Sequence, residues 1–260
     1  MIGIIGGTGV YDPAMLEEVR SQEVTTKYGT ASVNLGRYQG KVVAFLPRHG
    51  GDHSVPPHLI NYRANIMALS QLGVKRIIAT AAVGSLNFDY KPGAIVVVDQ
   101  FIDFTKSRIP TFFDGQEGGV IHVDVTEPYC PEVRKSLHSA ALETGAAVFN
   151  RGVYVCTEGP RFETAAEIKM FKTLGGDVIG MTTVPEAVLA RELGICYGTV
   201  AVVTNFAAGF CSGKLTHAEV VDCMQNNIDR IKATVMGAVA NMPAAAECDC
   251  AIVPTEVKVK

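Results

Sequence analysis

The sequence has no run of five or more like charges, and its 260 residues sum to a formal charge of -3. Holding duplex DNA or an anionic membrane surface by charge needs a basic field, so neither is an expected partner. No stretch approaches the ~18 consecutive apolar residues of a membrane-crossing helix. The amino terminus, Met-Ile-Gly-Ile-Ile-Gly-Gly, lacks the basic start and longer apolar run of a signal peptide, so the expected location is the cytoplasm. Paired CxxC spacing is missing too. The seven cysteines, at 130, 156, 196, 211, 223, 248 and 250, are scattered and odd in number, which predicts neither a disulfide framework nor a zinc site; only Cys248-Asp-Cys250 stands out. His49, His53 and His58 fall close together, but a loop with Gly51 and Pro56-Pro57 keeps them off one helical face, and no cysteine or carboxylate joins them, so no metal is expected. Two nucleotide signatures fail as well. Gly7-Thr8-Gly9 would need glycine at Asp12 to complete Gly-x-Gly-x-x-Gly, and no Gly-Lys-Ser/Thr follows. There is no Ser-centred nucleophile elbow and no catalytic pair of carboxylates.

What is present is apolar: 48% of residues are hydrophobic and 19% charged, enough for one large core in one α/β domain. Ile2 to Ile5 reads as a buried strand. The Gly6-Gly7-Thr8-Gly9 turn after it either cradles an anion on its N–H groups or only reverses the chain. Segments 22–26, 32–38 and 41–47 read as an antiparallel meander. Its last strand ends in Pro47-Arg48-His49-Gly50-Gly51, where guanidinium and imidazole could form an oxyanion fork or a solvated basic loop.

A helix over about 58–72 is stopped by Gly73, and a core strand from Arg76 to Ala82 runs into a small-residue turn, Val83-Gly84-Ser85-Leu86. With the strand from Ala94 to Asp99 this gives strand–helix alternation, so the sheet should be largely parallel. Residues 104–129 form a long loop of the kind that covers a site or meets a partner subunit. Helix 131–144 and strand 152–156 follow. Residues 164–174 read as a helix with Ala166, Met170 and Leu174 on one face. After strand 178–180, Thr183-Val-Pro-Glu186 reads as a capping box with proline in the first turn, and this helix start suits phosphate beside Thr182. Strand 195–204 precedes a second capping box, Thr216-His217-Ala-Glu219, which opens a helix striped by Val220, Met224, Ile228, Ile231, Val235 and Val239. The expected fold is one domain over 1–243, a central mixed, largely parallel twisted sheet flanked by helices, followed by an aperiodic tail over 244–260. Three polar loops between Thr157 and Gly209 meet at one sheet edge, where open α/β sheets bind ligands.

Ile-Ile-Gly-Gly-Thr-Gly at 4–9, Arg-His-Gly at 48–50, Asn-Tyr-Arg-Ala-Asn at 61–65, Thr-Glu-Gly-Pro-Arg-Phe at 157–162 and Met-Thr-Thr-Val-Pro-Glu at 181–186 resemble the trimeric purine nucleoside phosphorylases and methylthioadenosine phosphorylases. The resemblance spreads over nearly the whole chain and is closest to the methylthioadenosine branch. It implies reversible phosphorolysis of a purine nucleoside, with phosphate as co-substrate and no cofactor or metal. It also implies a homotrimer or a dimer of trimers. The implied phosphate site is Thr8, Arg48, His49, the Ala81-Ala82 backbone and Thr182; relatives often carry threonine where Ala81 stands, so that side-chain contact is missing here. Met181 would lie under the ribose and Phe162 on the base, although each alone also reads as core packing.

Base and sugar specificity turn on a few positions. Methylthioadenosine enzymes carry acidic residues in the segment matching 205–207, whereas this chain has Asn205-Phe206-Ala207. An amide donates to O6 and N7 of a 6-oxopurine, and Glu163 can accept from N1–H. The other reading of Glu163 is an acidic residue at a helix start. His217 matches the histidine that bonds a 5′-hydroxyl, and His122 in the long loop matches the residue that reaches a neighbour's ribose. The expectation is a methylthioadenosine-type framework with 6-oxopurine, 5′-hydroxyl specificity, Asn205 and His49 being the catalytic residues. The alternatives are a methylthioinosine or methylthioadenosine phosphorylase.

Overall fold

The computed structural model describes residues 1–7, 15–51, 54–115, 119–210 and 216–252, apart from the side chain of His217. Eleven strands form one sheet among these residues. They are β1 (Ile2–Gly6), β2 (Glu17–Thr26), β3 (Gly29–Tyr38), β4 (Lys41–Pro47), β5 (Arg76–Ser85), β6 (Ile95–Val97), β7 (Gln100–Phe104), β8 (Val148–Phe149), β9 (Val153–Thr157), β10 (Val178–Gly180) and β11 (Cys196–Phe206). The order is β2-β3-β4-β1-β5-β10-β9-β7, with β11 as a second neighbour of β5 leading to β6 and β8. Six pairings are parallel and four antiparallel, the latter including the β2-β3-β4 meander. The expected single-domain α/β architecture with a mixed, largely parallel sheet is what the chain adopts.

Helices α1 (Tyr62–Gln71), α2 (Pro131–Leu142), α3 (Ala165–Thr173), α4 (Thr183–Glu192) and α5 (His217–Asn241) cover both faces. Ile66 and Leu69 of α1 share one core with Val184 and Leu189 of α4, while Val133 and Leu137 of α2 share the other with Met224, Ile231 and Val235 of α5. The stripe read for the last helix is therefore the face that packs. Its capping box is complete, with the Thr216 side chain accepting from Glu219 N and Glu219 accepting from Thr216 N.

Several local readings change. The helix expected over 58–72 is split into a 3-10 turn, Pro57–Leu59, and α1, because Asn61 Oδ1 accepts from Ala64 N and starts the helix afresh. Val83-Gly84-Ser85 is not a turn: β5 continues through it, since β11 pairs with all three residues on one side and β10 with Gly84 and Ser85 on the other. In α3 the buried face is Ile168 and Phe171, whereas Met170 and Leu174 are exposed, so a four-residue spacing chose the wrong stripe. Thr183 does not cap α4. Thr182 is its N-cap, no side-chain cap bond forms, and Glu186 is committed elsewhere.

Candidate active site

Strand β5 carries the site because its borders change along its length. One edge pairs with β11 throughout. The other pairs with β1 only as far as Ala79 and with β10 only from Gly84, so among the described residues 80–83 have no strand partner on that side. Such a break is a topological switch point, and a crevice opens there. It is a cavity of ≈ 330 Å³, lined by Ala81, Ala82 and Gly84 of β5 and by the ends of β4, β10 and β11.

Arg48 and His49 follow the last residue of β4. Arg48 is not a solvated loop residue; it is 2% exposed. Its Nε and Nη2 donate to Glu186 Oε1 and Oε2 at 2.5 and 2.9 Å, and Nη1 donates to Thr80 O at 2.7 Å. Burial works to lower the Arg48 pKa, but the adjacent Glu186 carboxylate overrides it and holds the guanidinium charged. Tyr197 donates its hydroxyl to Glu186 Oε2 at 2.6 Å. Burial, and then the same carboxylate, push the Tyr197 phenol well above its ordinary value, so it stays a donor. Three of the five guanidinium N–H groups are thereby used, and the remaining two belong to a fork whose orientation is locked. A Cβ on Gly7 would come within 2.7 Å of Thr80 O and 2.8 Å of Arg48 Nη1, so only glycine lets the first turn approach this fork.

His49 Nδ1 donates to Val55 O at 2.8 Å while Val55 N donates to His49 O, which folds the Ser54-to-Pro57 segment over the cavity as an additional wall. Thr182 is 7% exposed and stands at the α4 N-terminus, where the helix dipole favours an anion. The phosphate-type residues expected from sequence, Arg48, His49, Ala81, Ala82 and Thr182, all line this one cavity. Thr8 lies outside the described residues.

Another wall comes from Pro160, Phe162, Glu163, Met181 and the end of β11. Phe162 lines the cavity yet is 37% exposed, so the core-packing reading of this ring fails. Met181 closes over the loop; Gly159, at φ +66°, is where an added Cβ would meet Met181 Sδ at 2.6 Å. Glu163 precedes the α3 N-cap Thr164 and takes no part in the helix start. Its Oε1 accepts from the Thr157 hydroxyl at 2.6 Å. Burial raises the Glu163 pKa, and the Thr157 bond offsets part of that shift.

Asn205 sits at a β-bulge, where the β11–β5 register slips between Val203 and Asn205. A bulge re-aims a side chain that regular pleating would send elsewhere. The amide is fixed at both ends: Oδ1 accepts from Thr204 Oγ1 at 2.7 Å and Nδ2 donates to Phe206 O at 2.9 Å. One N–H is left for a ligand, where the sequence reading counted on two. Ala207 completes the wall, and Val220 brings the first turn of α5 to it. The side chain of His217, one residue into that helix, lies outside the described residues. His122 is exposed and does not line this cavity. The long loop is instead clamped from behind, by Arg108 donating to Tyr62 Oη, Thr157 O and Glu158 O, and by Glu192 accepting from Thr111 and Phe112.

Glu186, Tyr197, Thr80, Thr157 and Val220 were missed in the sequence. For Glu186 a signal existed: α4 buries Val184, Pro185, Ala187, Leu189 and Ala190, and a carboxylate on so apolar a helix needs a buried cation. Comparison with known proteins places the chain. The profile of the Phosphorylase superfamily matches residues 1–240. The chain belongs to this family. It is 56% identical over 254 residues to a probable 6-oxopurine nucleoside phosphorylase of Thermococcus kodakarensis, covering 96% of this chain and 95% of the relative. Identity is also 56%, over 255 residues and 96% of each chain, with the 6-oxopurine nucleoside phosphorylase of Pyrococcus furiosus. Among solved structures, methylthioadenosine phosphorylase from Schistosoma mansoni in complex with adenine superposes with a TM-score of 0.91 at 33% identity, covering 96% of this chain and 94% of that one. The solved structure is thus a methylthioadenosine enzyme, while both relatives at 56% identity are named 6-oxopurine enzymes. Nucleoside phosphorylases are pentosyltransferases, and the chain is an enzyme of that class.

Proposed function

We propose that the protein cleaves 6-oxopurine nucleosides, inosine and guanosine, with inorganic phosphate, giving the free base and ribose 1-phosphate. The observation that carries this reading is the meeting of Asn205 and Glu163 in the cavity that also holds Arg48, His49 and Thr182. Glu163 accepts from the base N1–H, and the free amide N–H of Asn205 supports negative charge gathering at N7 and O6 as the glycosidic bond breaks. Phosphate held by Arg48, His49, Thr182, Thr8 and the Ala81-Ala82 backbone lies against the electron-poor sugar over Met181, with Phe162 along the base. His217 bonds the 5′-hydroxyl. No cofactor or metal enters this chemistry.

A phosphate-dependent assay on inosine, guanosine, adenosine, methylthioadenosine and methylthioinosine tests the reading. Turnover is expected with the first two and weak with the rest, and a preference for methylthioinosine would transfer the 5′ assignment away from His217. The proposed assembly is a homotrimer, or a dimer of trimers, in which His122 reaches a neighbour's ribose; an active monomer by light scattering would remove His122 from the site. The proposed location is the cytoplasm, and among the described residues no helix is long and apolar enough to cross a membrane.

The raised Glu163 pKa sets a pH dependence. The carboxylate is the acceptor, so kcat/KM for inosine should fall as pH drops through a value above the ordinary 4.5 of a glutamate. Glu163→Gln should lose both activity and this acid limb; a limb that survives in the variant belongs to another group.

A further inference from the structure

Four of the cysteines, none of which lines the cavity, converge at the start of β11, the end away from Asn205. Cys130 is the N-cap residue of α2, Cys196 is the first residue of β11, and Cys248 and Cys250 bracket the start of a 3-10 turn, Asp249–Ala251, in the tail. Their Sγ atoms all lie within 4.8 Å of one another, and Cys248 Sγ is 3.6 Å from that of Cys130 and 3.4 Å from that of Cys196. These are free thiols, well beyond the ~2.05 Å of a disulfide bond. They suit the edge of about 3.8 Å that four sulfurs have around an ion with Zn–S bonds of about 2.3 Å. A thiol that serves only as a small hydrophobe packs on carbon as readily as on sulfur, so packing alone gives no reason for four sulfurs from three separate segments to meet.

We propose that Cys130, Cys196, Cys248 and Cys250 form a structural tetrathiolate site for a soft divalent ion, Zn²⁺, that ties the tail to α2 and β11. With all four positions supplied by protein the site is closed, which is the pattern of a structural and not a catalytic zinc. As each Zn–S bond forms, the thiol proton leaves to solvent. Two neighbouring features fit the resulting charge. The α2 N-terminus presents its partial positive charge at Cys130. Arg76, the register partner of Cys196 and so on the same sheet face, is buried; its Nη2 lies 3.7 Å from Glu132 Oε2 and its Nε makes no hydrogen bond, so its positive charge is only partly matched by that carboxylate. The tail is already seated for this, since Glu247 N donates to Glu132 Oε1 at 2.5 Å in the first turn of α2.

The full-length chain, grown with added zinc and purified without chelator, should carry about one zinc per chain by elemental mass spectrometry. An organomercurial should release that zinc to a metal indicator in step with reaction of the thiols. Reconstitution with Co²⁺ should give the intense sulfur-to-cobalt charge-transfer bands of a tetrahedral thiolate site, lost in Cys250→Ser and in Cys196→Ser. Because a serine variant could fail to fold, the cobalt spectrum of the unmodified chain stands by itself. The proposal is overturned if the reduced chain binds neither Zn²⁺ nor Co²⁺ at micromolar concentration. It is equally overturned if the four cysteines of the freshly purified chain resist alkylation under denaturing conditions until reduced, which would make them disulfides. Neither result touches the phosphorolysis assay, so the two readings fail separately.

Discussion

Asn205→Ala should lower kcat for inosine by about 10²–10³-fold, the usual cost of removing one donor aimed at charge that develops only in the transition state, while KM for phosphate stays near that of the parent. The split follows from position. Arg48 follows β4 and is bonded to Glu186 and Thr80, Thr182 stands at the α4 N-terminus, and the Asn205 amide at the bulge of β11 is bonded to Thr204 and Phe206. The amide is also preorganised: Thr204 and Phe206 take its oxygen and one N–H, so the remaining N–H points without reorganisation cost. Steady-state kinetics with phosphate and inosine varied independently measure both constants. Full activity in the variant would sink the role. The companion substitution Asn205→Asp exchanges a donor for an acceptor and should raise adenosine turnover relative to inosine; an unchanged ratio would show that the base is read elsewhere.

Glu186→Leu should be the most damaging single change to folding that lies beside the proposed phosphate site. Arg48 and Glu186 are each 1% exposed at their side chains, and removing one partner of such a pair leaves a buried charge uncompensated, at about 3–5 kcal/mol. For a chain of this size that corresponds to a fall of roughly 6–20 °C in Tm. Calorimetry or thermal circular dichroism measures it. Whatever fraction folds should show a raised KM for phosphate, because the Arg48 fork has lost its bidentate anchor and Tyr197 its acceptor. Glu186→Gln keeps one acceptor oxygen and should fall between the two. A Tm within a degree or two of the parent together with an unchanged phosphate KM would mean that Thr80 O alone positions Arg48.

Much of the scaffold was legible along the chain because local rules govern it. The antiparallel meander of β2, β3 and β4, the capping box at Thr216 and the stripe on α5 are short-range patterns, and each became the element it predicted. Failures came where tertiary contacts outweighed local preference. Thr183-Val-Pro-Glu186 satisfies every sequence criterion for a capping box, yet Glu186 spends its carboxylate on Arg48, 138 residues away, because a buried guanidinium without a counter-ion would cost more than an uncapped helix. Val83-Gly84-Ser85 looks like a turn until two neighbouring strands supply its hydrogen bonds.

By itself the sequence determined the fold class, the order of most elements and the chemical types that could bind phosphate and a purine: an Arg-His pair after a strand, an amide and a carboxylate. Which of these share a cavity was decided only in three dimensions. The gap between β1 and β10 along one edge of β5 brings residues 81 and 82 into the same crevice as Arg48, Thr182 and Asn205. The bulge at Asn205 and the Thr157 bond to Glu163 then set how the proposed base-reading groups are presented. The same holds for the four cysteines, whose spacing of 66, 52 and 2 residues carries no periodic signal, and which meet because α2, β11 and the tail close on one another. Contacts of that kind are fixed by packing across the whole core, and no window of adjacent residues contains them.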